Sequence, residues 1–209
     1  MERIDRREAS KLMGIGLLAP MFLRADGTLD VESPSADYEL ARNKDGSMDI
    51  SSKQKELKFK VAKNAFLLRP NSKISLNMSG VAVKSMKLLT GGVMGVFSPG
   101  SKTVESRTFT AGIRGSGIYL EEKDETAVYM CLCYGAADYM DVSSRKLMEL
   151  ISKYHDKPVV ISKEGKIYDD KTHNHDDDEL RALEKMCDRE PPFEKWLMMQ
   201  KMLSPQPVY

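Results

Sequence analysis

Between Lys55 and Met140 the chain leaves no room for a helix. Apolar residues alternate in short runs, and glycine, proline and asparagine interrupt them every few positions. In KELKFKVAK, Leu57, Phe59 and Val61 fall on one face and Glu56, Lys58, Lys60 and Ala62 on the other. Ala65–Leu68 is closed by Pro70-Asn71, and Ile74, Leu76 and Met78 alternate again. Gly80 precedes Val81–Val83, Gly91-Gly92 precede Val93–Phe97, and Pro99-Gly100 precede Thr103–Ser106. A period of two is the mark of a half-buried strand. Parallel βαβ winding needs crossovers of a dozen residues or more, usually helical, and none fits here. The expected fold is therefore mainly β, a roll or sandwich of short strands, with a small α/β carboxyl-terminal tail.

Composition narrows the function classes. Hydrophobic residues make up 41% of the 209, enough for a packed core. The 32 basic residues balance 31 acidic ones, so no global basic field exists to attract nucleic acid or an anionic membrane. Three cysteines are too few for a disulfide scaffold, and their odd number leaves at least one unpaired within the chain. No apolar run is long enough for a stable transmembrane span.

Ahead of the strands, Arg6-Arg7 and Lys11 are followed by a short apolar run over Leu12–Leu23. That layout predicts an export signal of the twin-arginine kind over residues 1–25, and hence a periplasmic or otherwise extracytoplasmic protein. An amphipathic helix docked on the domain is the alternative. Residues 26–52 are polar, rich in Asp, Ser and Gly, and without sustained apolar period, which predicts a linker. The β domain then occupies 53–140, and a helix-hairpin-helix tail 141–209.

The densest glycine cluster is TAGIRGSG, over Thr110–Gly117. A phosphate-cradling loop would open a helix, whose amino end supplies N–H donors. Here Ile118-Tyr119-Leu120 follows, which is strand sequence. The glycines are better read as backbone positions needing positive φ or close strand approach. Arg114, inside the cluster, is a candidate binding residue for an anion, or else the partner of a buried carboxylate.

Downstream, Val128–Tyr134 reads as a strand, so Cys131 and Cys133 project from one face and Leu132 from the other. Their Cα atoms are then about 6.6 Å apart, near the limit for a disulfide. Two thiolates on one face converge more easily on a metal, although free cysteine also packs as a small hydrophobe. All three histidines, His155, His173 and His175, follow this strand. His155 is expected to end a helix over Ser144–Tyr154, striped by Leu147, Leu150, Ile151 and Tyr154. Val159–Tyr168 reads as a hairpin turning at Glu164-Gly165. His175 precedes an acidic helix start, Asp176–Glu179, and that helix carries Leu180, Leu183 and Cys187 and stops at Pro191-Pro192.

The segments FSPGSKTVES, TAGIRGSGIYLE and YMCLCYG together resemble FecR-domain proteins, in particular the exported single-domain kind. That family's pattern is a Gly-Ile-Arg-Gly-(Thr/Ser)-Gly turn, a strand, then Cys-x-Cys-Tyr-Gly. LLRPNSKISL is similar to the family's Leu-Arg-Pro-Gly-Ser segment, with Asn71 in place of glycine. The resemblance covers roughly 57–140. It extends into the tail through His155-Asp156-Lys157-Pro158, through Asn174–Leu180, and through Pro191-Pro192-Phe193. It implies an extracytoplasmic β domain. FecR-type regulators also carry a sigma-factor-binding segment and a membrane helix, and neither is expected here.

Cys131, Cys133, His155 and His175 make a four-ligand N/S set suited to structural zinc and able to take iron or copper. His173 is expected to point away. Haem attachment is excluded because Cys-x-x-Cys-His is absent, and a Rieske centre because Cys-x-His pairs are missing. The leading expectation is a non-enzymatic domain that binds a metal, a small ligand or a protein partner. One alternative is a Cys/His enzyme with Asp156 orienting the histidine. Another is a structural or assembly module with no metal. The methionines, including Met198-Met199 beside Trp196 and Leu203, are expected to fill core rather than to bind copper.

Overall fold

The computed structural model describes residues 29–32, 37–141 and 147–203. The expected export signal at 1–25 lies outside them. The strands are Leu29–Val31 (β1), Tyr38–Arg42 (β2), Met48–Ser52 (β3), Leu57–Val61 (β4), Asn64–Leu68 (β5), Lys73–Ser79 (β6) and Ala82–Thr90 (β7). There follow Gly92–Val96 (β8), Ser101–Glu105 (β9), Phe109–Glu122 (β10), Ala127–Asp141 (β11), Leu147–Ser152 (β12), Lys157–Ser162 (β13) and Ile167–Asp169 (β14). Two helices close the tail, Asp177–Met186 (α1) and Phe193–Leu203 (α2). The protein is mainly β, a curled sheet with a small helical tail. Among the described residues no helix is long and apolar enough to cross a membrane.

The sheet runs β1-β4-β5-β8-β10-β9-β7-β6-β3-β2, with β11 on the other edge of β10. Its pairs are antiparallel except β7 with β9. The long β10–β11 hairpin is the spine, and it bends. One edge of β10 pairs with β9 through Thr110–Arg114 and with β8 through Gly117–Glu121. The change of partner falls on the Arg114–Gly117 bulge. Bulges kink a strand and let it turn a corner between sheet faces. Gly115 takes φ +59° there, a conformation costly for a side-chain-bearing residue. At Gly117 an added Cβ would meet the Tyr134 ring at 2.4 Å. The glycine-rich motif is thus a corner within a strand, as its sequence context suggests.

β11 repeats the device on its free edge. It pairs with β13 through Ala127–Leu132 and with β12 through Gly135–Met140. The Cys133-Tyr134-Gly135 corner lies between, and the β12–β13 connection crosses beside it.

Period-two alternation produces two cores. The inner cluster takes Phe66 and Leu68 of β5, Ile118 and Leu120 of β10, and Val128, Met130 and Leu132 of β11. The outer cluster takes Ala65 and Leu67, Tyr119, then Tyr129, Cys131 and Cys133 from the same strands, together with Leu180, Leu183 and Phe193 of the helices. β5 and β8 are buried along their full length because the sheet is covered on both faces.

Three expectations are corrected. The 26–52 segment is not a plain tether: β1 pairs with β4, β2 with β3, and β3 with β6. β1 and β2 end the strand order with much of their surface wet, and the internal β3 buries Ser52 beside Ile50, which conceals the apolar period. The helix expected over Ser144–Tyr154 is strand β12. Leu147, Leu150, Ile151 and Tyr154 suit a helical stripe, but Met148 and Leu150 pack on the inner core while Ile151 is 62% exposed. The unpaired edge of β11 supplies ladder hydrogen bonds that an isolated helical turn cannot match. Finally, Met198, Met199 and Met202 do not fill core, being 60%, 57% and 83% exposed on α2. The Glu164-Gly165 hairpin is present as β13–β14, with Gly165 at φ +76°.

Candidate metal centre

Cys131 and Cys133 sit at the β11 corner on the outer face, both fully buried as free thiols. His155 arrives because the β12–β13 connection must cross that corner. Its backbone N–H donates to the Cys133 carbonyl at 2.8 Å, and its φ of +49° turns the chain back toward β13. Asp156 holds this turn by accepting from the Lys153 and Tyr154 backbone N–H groups at 2.6 and 3.4 Å. His175 arrives from the tail, one residue ahead of the α1 N-cap.

That cap is built locally. The Asp176 side chain accepts from the Glu179 N–H at 2.9 Å, and Glu179 reaches back to the Asp176 N–H at 3.2 Å. This reciprocal arrangement satisfies two of the free donors at a helix start. Three acidic residues in the first turn suit the helix dipole. Leu180 and Leu183 then seat α1 on the outer core.

The structure brings Cys131, Cys133, His155 and His175 together, with one ligand atom from each lying within 4.8 Å of all the others. His155 Nδ1 is 3.4 Å from the Cys131 sulfur and 3.2 Å from His175 Nε2. The remaining ring nitrogens are engaged elsewhere. His155 Nε2 lies 3.2 Å from the Asp177 carboxylate, and His175 Nδ1 lies 2.7 Å from the His173 carbonyl. Both partners are acceptors, so both of these nitrogens carry the N–H. Two lone pairs are left facing one another beside two thiols. A shared proton or a cation between them would relieve this opposition, and the Cys131 thiol is also placed to donate to His155 Nδ1. Carboxylate and carbonyl partners on the far nitrogen are also what orients histidine in metal sites.

The electrostatics are those of a thiol and an imidazole that each favour the other's charged form. The hydrogen bond from Cys133, together with the two histidines, outweighs burial and draws the Cys131 thiol down to about 4. Burial, then the neighbouring Cys131, push Cys133 well above the ordinary thiol range. The pair thus loses its first proton readily and its second reluctantly. Burial works against a charged His155, but the Cys131 sulfur and Asp177 overcome it and raise its pKa.

His173 stands outside the cluster. Its ring lies 4.1 Å from that of Tyr129, and its nitrogens contact the Lys171 carbonyl at 2.9 Å and the Lys123 ammonium at 2.8 Å. Arg114 is on the sheet surface, where its guanidinium meets Asp138 at 2.7 and 3.3 Å. That carboxylate is 35% exposed rather than buried, and an anion would have to displace it.

Sequence reasoning named the four sulfur and nitrogen donors but not their supports. Asp177, not Asp156, orients His155, and the Tyr154 hydroxyl donates to the same carboxylate at 2.8 Å. Tyr119 stacks on His175 with ring centroids 4.6 Å apart. Arg69 forks onto Glu179 at 2.5 and 2.7 Å, tying β5 to α1. The acidic run after His175 was the available signal for Asp177. Nothing in the spacing pointed to Tyr119 or Arg69.

No family model matches the chain, and no curated protein does. Among solved structures, the chain is similar to two crystal structures of a "putative anti-sigma factor" from Parabacteroides distasonis, each at 10% identity and a TM-score of 0.42. The first match covers 69% of this chain and 60% of that one, and the second 65% and 56%. This chain therefore spans less than two thirds of the length of the proteins it matches.

Proposed function

We propose that this chain is a non-enzymatic, extracytoplasmic FecR-like domain that holds one metal ion, zinc or iron, between Cys131, Cys133, His155 and His175. The metal clamps the carboxyl-terminal tail onto the β domain, whose partner is a protein or a small ligand. The observation that carries this reading is the pair of facing imidazole nitrogens, 3.2 Å apart, with both N–H groups committed elsewhere. In a tetrahedral Zn–S/N shell, neighbouring ligand atoms lie roughly 3.3–3.8 Å apart. Contraction of about 1 Å would close the present cluster onto an ion, and the ion's binding energy would become docking energy for the tail. The FecR-like motifs and the Arg6-Arg7 leader support the extracytoplasmic setting.

One observation favours a second reading. Cys131, His155 and Asp177 line up at 3.4 and 3.2 Å in the order nucleophile, base and orienting carboxylate. Against it, Cys131 is fully buried, so no substrate reaches the sulfur. A thiol that is alkylated in the native, metal-loaded protein would favour the enzyme.

Metal analysis of the purified protein tests the clamp. The wild type should carry about one zinc or iron per chain. Cys133→Ser and His175→Ala should lose it and expose the tail to protease, whereas His173→Ala should not. Metal binding displaces protons from thiols and imidazoles, so occupancy should fall as pH is lowered. Equal metal content in all four proteins would leave the thiols as packing residues. Export is tested separately by fractionation. Arg6→Lys with Arg7→Lys should leave the protein in the cytoplasm, and unchanged export would reject the twin-arginine route.

A further inference from the structure

The four ligands are not held alike. Cys131 belongs to β11 where that strand is paired on both edges, and Cys133 to the irregular step just beyond it. His155 sits in a short turn bonded to the Cys133 carbonyl. His175 belongs to the strap 170–176, which joins β14 to α1 and lies outside any strand or helix. A few contacts hold that strap. The Asn174 amide donates to Glu121 at 3.1 and 2.8 Å, His173 meets Lys123, and the Tyr129 hydroxyl donates to the Lys171 carbonyl at 3.2 Å.

Arg69 is the contact that grips both sides of His175. Its Nη2 donates to the Asn174 carbonyl, one residue before the ligand. The same guanidinium forks onto Glu179, four residues after it, and also meets Glu56 at 2.5 Å. The Arg69 side chain is 17% exposed and that of Glu179 21%, so this pair is less screened than a surface pair. Arg69 also lies over the Tyr119 ring, 5.5 Å from its centroid, on which His175 stacks. These residues line an open cleft of about 480 Å³ together with Glu121 and Asp176. His175 is the one ligand on its wall.

We infer that this cleft is the port through which the metal enters and leaves, with His175 as the detachable ligand and Arg69 as the latch that positions it. This rests on the metal reading above. Opening requires the strap to lift His175 from the shell, which leaves the two cysteines and His155 with a weakened hold and one side of the ion open to the cleft. The carboxylates of Glu56, Glu121, Asp176 and Glu179 outnumber Arg69 at the mouth, so the port favours cations over anions. Lysine cannot replace Arg69 in full, because an ammonium lacks the planar fork that reaches the carboxylate and the carbonyl together.

The test is the rate of zinc release from the full-length, zinc-loaded chain to excess chelator. Arg69→Ala should bind one zinc but release it at least tenfold faster than wild type. Arg69→Lys should fall between them, with an unchanged circular dichroism spectrum, and Glu179→Gln should also quicken release. Equal release rates in wild type, Arg69→Lys and Glu179→Gln would overturn the latch, whether or not Arg69→Ala folds. A wild type that binds no zinc would instead overturn the metal reading itself.

Discussion

The two faces of the sheet are built by different means. The inner face is closed by area. Phe59 and Phe66 stack with centroids 5.2 Å apart, Phe97 meets Phe66 edge-on at 5.5 Å, and aliphatic side chains fill the remainder. The outer face holds all three cysteines and closes through directional bonds. Tyr119 donates to Glu121 at 3.2 Å, and Tyr134 donates to the buried Glu184, which also receives Arg189 at 2.5 Å. Arg189 in turn donates to the Lys63 carbonyl at 2.7 Å. Apolar burial is indifferent to protons and chelators, whereas thiolates, imidazoles and ion pairs are not. A single sheet thus carries a permanent core on one side and a chemically addressable one on the other.

The largest expected effect falls on the inner side. Phe66→Ala should cost about 3–5 kcal/mol, a large share of a typical domain's total stability. In chemical denaturation the sheet and the tail should melt together. Loss of the tail alone would break the comparison, because it would mean that the inner core does not support the outer one.

The clamp variants Cys133→Ser and His175→Ala should come next, freeing the tail while strand content holds. Joint collapse of sheet and tail would make the two faces one cooperative unit. The smallest effect belongs to a residue in neither core. Arg114→Ala removes an exposed cross-strand pair and should leave the unfolding midpoint within measurement error. A clear drop would mean that the β10 corner depends on this pair as well as on its glycines.

The strand pattern was legible wherever one face of a strand is dry and the other wet. Leu57, Phe59 and Val61 are fully buried as their spacing implies, and Cys131 and Cys133 share a face opposite Leu132. It was less legible at the margins. β1 and β2 are short end strands with much of their surface wet, and β3 between β2 and β6 buries Ser52 as well as Ile50, so these strands carry little apolar signal. In LMELIS, helical and extended readings compete over the same apolar residues, and only the neighbouring strand arbitrates. The four donors of the site could be named from residue type. Their supports could not, because Arg69, Tyr119 and Asp177 come from three elements separated by 50 residues or more.

What the sequence determined by itself is local. Period-two alternation assigns faces, glycine permits the bulge at Gly115, and Asp176 with Glu179 starts α1, because each rests on sterics or bonds within a few residues. What only the tertiary structure decided is set by long-range pairing. The open edge of β11 makes Leu147–Ser152 a strand. The corner at Cys133 draws His155 beside the thiols, and the docking of α1 selects Asp177 over Asp156. Local preferences amount to a few tenths of a kcal/mol per residue, and a ladder of hydrogen bonds with a buried face outweighs them.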